Sequence, residues 1–201
     1  DEQKQKYLPA IACGDLRLQA FGVTEPTTGS DTTQLKTRAE RKGNGYVVNG
    51  QKVWTSRAQH SDLMLLLART TPRDQVAKRT DGLSTFIVDM KKALGNGLTI
   101  RPIRTMMNHN SCEVFFDNME VPAENMVGQE GKGFGIAMAT LDVFRSTVAA
   151  AALGMARRAL DETLAQLVVV PGGAGVRCQP GVRNALLPRP GRGRGRPGAS
   201  G

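Results

Sequence analysis

The chain has 201 residues and a formal charge of +9, with 40% hydrophobic and 22% charged residues. That length allows one or two domains, and the longest uninterrupted apolar run, residues 63–68, is of strand length, so no membrane span and no membrane partner are expected. Cys13, Cys112 and Cys178 lie far apart with no CxxC pair, which argues against a disulfide scaffold or a zinc site and fits a reducing compartment.

The charge is uneven. From residue 166 onward there are six arginines and no acid, which leaves 21 basic and 18 acidic residues over 1–165. Two thirds of the excess charge is therefore a property of the tail and says nothing about what the body binds. The Arg-Gly repeats of the tail lack an aromatic residue to stack on bases, so nucleic acid is not expected as a partner.

Residues 1–13 look like the end of a polar helix, with Gly14-Asp15 as its stop signal. The sequence opens in mid-element, and further helical structure upstream is expected. Residues 18–128 read as short strands divided by Gly, Asn and Pro turns. Thr37–Glu40, Gly43-Asn44-Gly45 and Tyr46–Val48 form a hairpin pattern. Asn49-Gly50 reads as a second turn, followed by a strand at Lys52-Val53-Trp54. Residues 63–69 are continuously apolar up to Arg69, as expected of a strand buried on both faces. Residues 83–89 and 113–117 supply two more strands, and 73–81 a polar loop. A small barrel or sandwich is expected.

From Gly131 the period lengthens. Phe134, Met138, Leu141, Arg145, Val148, Ala152, Met155, Ala159 and Leu164 recur at three- and four-residue intervals, which predicts one helix over 133–167. Its apolar face is too long for a small barrel to cover, so it should pack against other helices. Residues 168–201 have no periodicity and are expected to be disordered.

Three places point to chemistry. Phe21-Gly22-Val23-Thr24-Glu25-Pro26-Thr27-Thr28-Gly29-Ser30-Asp31 is rich in hydroxyls and accessible backbone N–H groups, suited to a polar ring or a phosphate; a plain turn between strands has the same composition. Lys52-Val53-Trp54-Thr55-Ser56 carries the only tryptophan, which could stack on a flat cofactor or plug the core. Asp142 and Arg145, three apart on the helix, share a face beside Met138, Leu141 and Val148; an exposed pair of this kind is worth only ~0–1 kcal/mol. His60 and His109 lack partners at ligand spacing and read as loop residues, so no metal site is expected.

Taken together, GVTEPTTGSD, then NGQKVWTS, then FFDNMEVPAENMVGQEGKGF and RSTVAAAALGMARRALDE resemble the acyl-CoA dehydrogenase family over roughly residues 1–166. The resemblance implies an α+β chain: the end of an N-terminal helical domain (1–17), a middle β-barrel or sandwich domain that binds flavin (18–129), the first helix of a C-terminal helical domain (130–167), and the low-complexity tail (168–201). It implies an FAD-dependent oxidoreductase of fatty acid metabolism and β-oxidation, acting on an acyl-CoA thioester and passing electrons to an electron-transferring flavoprotein. It further implies a homo-oligomer, tetrameric in intact relatives, in the cytoplasm or, in a eukaryote, the mitochondrial matrix.

The resemblance assigns Phe21, Val23, Thr24, Gly29, Ser30, Trp54 and Ser56 to the flavin cofactor, and Ser30, Asp142 and Arg145 to the acyl-CoA. It assigns no catalytic base. The family glutamate lies either in a late bundle loop, which the sequence does not reach, or immediately before the arginine matched by Arg145, where this chain has Phe144. The expectation is an incomplete chain, inactive alone. Its alternatives are an interaction subunit of the same family, or a flavin oxidase or monooxygenase. An abrupt change of composition near Gln166 suggests a shifted reading frame beyond it.

Overall fold

The computed structural model describes residues 1–106 and 110–169. The expectations for His109 and for most of the tail lie outside the described residues. The fold is α+β. The chain divides into two compact units, one spanning Asp1–Val143 and a second beginning at Phe144.

Helix α1, Glu2–Cys13, ends at Gly14, whose N–H caps the Ile11 carbonyl. Its polar face is anchored by Gln3, which donates Nε2 to the carbonyls of Glu124 (2.7 Å) and Met126 (2.8 Å).

The strands are β1 (Leu18–Gly22), β2 (Arg38–Lys42), β3 (Gly45–Ser56), β4 (Leu63–Arg69), β5 (Leu83–Asp89), β6 (Leu98–Pro102), β7 (Ser111–Pro122) and β8 (Met126–Val127). A short helix, α2 (Met90–Ala93), follows β5. The sheet runs β6-β7-β3-β2-β4-β5-β8, with β1 pairing with β4 in parallel. The remaining pairs are antiparallel, apart from one parallel contact between β2 and β4.

β4, apolar up to Arg69, is buried along nearly its whole length, as its composition requires. Alternation divides it between two clusters. Met64, Leu66 and Ala68 enter the larger core with Tyr46, Val48, Phe86 and Met119. Leu67 enters the smaller one with Val23, Leu35, Leu83 and Ala137.

The β2–β3 hairpin forms where expected. Asn49-Gly50 does not turn the chain: β3 continues through it for 12 residues. The pair is instead the site of a register shift against β7. Gly50 has φ +146°, and a Cβ there would meet Thr37 Oγ1 at 2.6 Å. The glycine serves a close approach of backbone to backbone in place of a reversal.

Helix α3 runs Gly133–Val169, two residues beyond the expected end, so Val168 and Val169 are helical and not part of a tail. In the first unit its start is pressed against β5: the Thr85 hydroxyl donates to the Gly133 carbonyl (3.0 Å), and a Cβ on Gly133 would meet Thr85 N at 2.5 Å. The expected single apolar stripe is not what the helix carries. Val143, Phe144, Val148, Leu153 and Met155 are all exposed, and apolar residues lie around the whole circumference. Over Gly133–Ala165 the helix is long and apolar enough, by length and composition alone, to cross a membrane. Counting uninterrupted apolar runs missed this because Asp142 and Arg145 break the run, whereas a span-length window tolerates both.

Candidate functional site

The Gly/Thr/Ser-rich segment leaves the end of β1 and crosses to β3. Val23 is buried in the smaller core cluster, with Phe21 packed against it. Thr24 is half-buried, and its carbonyl accepts the Val53 N–H at 2.9 Å. That bond sets Thr24 beside Trp54, the next residue along β3. Glu25 and Thr28 then exchange backbone hydrogen bonds at 3.0 Å each, closing a tight turn. Gly29 and Ser30 follow it, exposed. Asp31 ends the segment as the cap of a 3-10 turn, Thr32–Gln34. Hydrogen bonds from Thr33 hold its carboxyl below the ordinary carboxylate value, with smaller help from Gln34 and Arg79.

Trp54 is unusual in two respects. It is 59% exposed, although large aromatic side chains normally bury most of their area. Its φ is +59°, a left-handed conformation that is rare for a bulky residue and costs of order 1–3 kcal/mol. The strain coincides with a second register shift, between Lys52 and Thr55, where β3 bulges from β7. Trp54 is therefore not a core plug. Ser56, two residues on, is half-buried and pairs with Ser111 at the end of the ladder. Between them Thr55 is 1% exposed, and its hydroxyl has no hydrogen-bond partner among the described residues.

Beneath this surface lies a charged pair that pattern reading missed. Lys52 is 0% exposed and donates Nζ to Glu25 Oε1 at 2.9 Å and to the Val23 carbonyl at 3.0 Å. Glu25, 5% exposed, accepts the backbone N–H of Lys36 (2.6 Å) and of Thr37 (2.9 Å). Burial pulls the Lys52 ammonium down to about 8, against the opposing charge of Glu25. Burial alone would raise the Glu25 carboxyl. The Lys52 charge and the Lys36 and Thr37 donors outweigh it and hold that carboxyl below its ordinary value. The available signal was the lysine at an inward position of β3, in step with Tyr46 and Val48. Arg69 completes the frame, donating to the carbonyls of Leu35 (3.3 Å), Thr71 (3.4 Å) and Thr33 (2.7 Å).

The fold thus brings Thr24, Trp54 and Ser56 to one stretch of sheet surface, with Gly29 and Ser30 on the adjoining turn. Two cavities lie elsewhere: one of about 1210 Å³ between Tyr7, the Lys42–Val47 hairpin and Val121, and one of about 370 Å³ beside Arg17 and His60. Asp142 and Arg145 are exposed on α3, three residues apart. The boundary between the two units falls between them. The stretch around Trp54 offers an exposed aromatic face held at positive φ, flanked by hydroxyls and open backbone.

Comparison with known proteins identifies a family. Residues 20–119 match the family described as acyl-CoA dehydrogenase, middle domain, and residues 131–175 the acyl-CoA dehydrogenase C-terminal domain. An acyl-CoA dehydrogenase of Bacillus subtilis (strain 168) is 41% identical over 167 residues, covering 82% of this chain and 42% of that protein. A chain of the Acidaminococcus fermentans electron transferring flavoprotein structure is 36% identical, with a TM-score of 0.74, covering 90% of this chain and 47% of that one. A glutaryl-coenzyme A dehydrogenase in complex with glutaryl-CoA is 29% identical, with a TM-score of 0.75, covering 87% and 43%. The chain spans about two fifths of the length of the curated relatives it matches.

Proposed function

The chain belongs to the acyl-CoA dehydrogenase family, and from that footing we propose that it supplies the flavin-holding surface of an FAD-dependent α,β-dehydrogenation of an acyl-CoA thioester. One observation carries the reading: the Val53-to-Thr24 hydrogen bond sets a half-buried threonine beside an exposed tryptophan held in a strained conformation.

In this reading the Trp54 indole packs on the flavin, and the Thr24 and Ser56 hydroxyls bond its polar edge. Phe21 and Val23 support the strand end beneath Thr24. The exposed backbone of Gly29 and Ser30 takes the pyrophosphate. A flavin held by these residues would supply the acceptor for the hydride lost from the β carbon of the acyl group. The chain's own share is to orient it, to exclude water with the indole, and to present neutral donors where negative charge grows on reduction. Ser30, Asp142 and Arg145 are assigned to the acyl-CoA.

Proton removal from the α carbon needs a carboxylate. Phe144, immediately before Arg145, cannot provide one. The chain by itself is therefore proposed to bind flavin without turning over. The electron acceptor is proposed to be an electron-transferring flavoprotein, and the working assembly a homo-oligomer in which α3 packs into a helical bundle and not a bilayer.

Titration of the full chain with FAD tests the reading. Saturable quenching of the single tryptophan, with a perturbed flavin absorption band, is expected. Addition of an acyl-CoA should then leave the band unbleached. Absence of saturable quenching would sink the flavin assignment, and bleaching by acyl-CoA would sink the assignment of inactivity.

A further inference from the structure

We propose that Lys52 and Glu25 form a buried positioning clamp that sets the spacing between Thr24 and Trp54. The inference rests on the flavin reading for its meaning, and on the geometry of one buried cluster for its content. Neither residue touches the surface that carries Trp54, so neither is a catalytic or cofactor-contacting residue.

The clamp joins three segments remote in sequence. Lys52 stands on β3, two residues before Trp54, and reaches back to the loop through the Val23 carbonyl (3.0 Å) and Glu25 Oε1 (2.9 Å). Val23 and Glu25 bracket Thr24. The Glu25 carboxylate in turn grips the entry to β2 through the N–H groups of Lys36 (2.6 Å) and Thr37 (2.9 Å). Thr37 closes the circuit by donating its hydroxyl to the Gln51 carbonyl (3.3 Å), next to Lys52. A Cβ at position 50 would collide with Thr37, so Gly50 is what lets this segment lie so near β3.

A fully buried ion pair adds little net stability over well-packed apolar side chains, but each charge dictates where its partner and its donors must stand. The neighbourhood needs such a constraint. β3 changes register against β7 on both sides of Lys52, so the sheet ladder alone leaves the Trp54 position loosely defined. The Val53-to-Thr24 bond is a backbone link across the gap, and Lys52 and Glu25 flank it in sequence on the two sides.

The test uses the full chain with K52M, E25Q and the double variant E25Q/K52M. Each single variant leaves one buried charge without its opposite and risks global unfolding, whereas the double removes both. In the double variant, amide exchange at Val53 should quicken at least ten-fold and acrylamide quenching of Trp54 should rise. The amides of the β4–β5 ladder should keep wild-type protection. FAD affinity should fall at least ten-fold. Wild-type exchange at Val53 and wild-type quenching of Trp54 in the double variant would overturn the proposal. So would loss of β4–β5 protection in step with Val53, or loosening at Val53 with FAD affinity intact. Should the unaltered chain fail to bind FAD, the flavin reading alone falls, and the exchange and quenching results decide the clamp.

Discussion

Trp54 concentrates the argument at the scale of single residues. A residue with a Cβ pays for φ +59°, and glycine does not. W54A and W54G both remove the indole, so their difference isolates the backbone. W54G is expected to be more stable than W54A by about 1 kcal/mol in urea unfolding, the relief of strain outweighing glycine's larger entropy loss; a W54G less stable than W54A by the usual glycine cost of roughly 0.5–1 kcal/mol would mean the left-handed conformation carries no strain. The buried pair gives a pH signature. Between about 8, where folded Lys52 releases its proton, and its ordinary 10.5, the unfolded chain binds more protons, so this residue's contribution to stability rises with pH. On the acid side Glu25 gives a slope of the same sign. Its folded value lies below the ordinary 4.5, so its contribution is complete above 4.5 and is lost as pH falls through the folded value. Melting temperature followed against pH should show both trends in the unaltered chain and weaker ones in E25Q/K52M, where Asp31 still contributes on the acid side. Thr24 and Trp54 stood out in the sequence as candidates because their residue types suit hydrogen bonding and stacking. Lys52 and Glu25 escaped because a charge inside a strand pattern declares its role only once its partner, 27 positions away, is seen to be in reach.

Elements were legible where burial was uniform. Every inward and outward position of β4 is apolar or nearly so, and its strand was readable from composition alone. β1 and β6 were not resolved as separate strands, because LQAFG and LTIRP are five residues each, with only one or two buried positions to mark a face. Asn49-Gly50 misled because a glycine that permits a turn equally permits a bulge, and the choice is made by Thr37 across the gap. The junction between β5 and α3 offers a direct check. G133A puts a methyl group 2.5 Å from Thr85 N, so the first turn of α3 must lift from β5 or β5 must yield. A loss of about 1–3 kcal/mol is expected from such overpacking. Gly135, on the same helix, has nothing within 4 Å of its would-be Cβ. G135A should gain roughly 0.5–1 kcal/mol from helix propensity. Chemical denaturation of the pair measures both, and similar effects from the two would show that Gly133 is not pressed against β5.

At the scale of the whole molecule, what identified the family was the order of its motifs along the chain, each weak alone. The α+β class followed from a change of period near Gly131, which the structure places at the start of α3, Gly133. The distribution of apolar residues on α3 was not legible. A three- and four-residue spacing selects one stripe by eye, while Val143, Phe144 and Leu153 fall outside it and are equally exposed. A helix that is apolar on every side needs cover from several directions, and the described residues of the second unit leave Val148, Leu153 and Met155 at 64%, 72% and 60% exposure. Exposed apolar surface on this scale drives association. The chain should therefore sediment as a concentration-dependent mixture of species. V148E/L153E places charges on that surface of the second unit, and should shift the distribution toward monomer while FAD titration of Trp54 stays unchanged. An unaltered chain that remains monomeric at tens of micromolar would remove the basis for this expectation, because hydrophobic area left in water must otherwise find a partner.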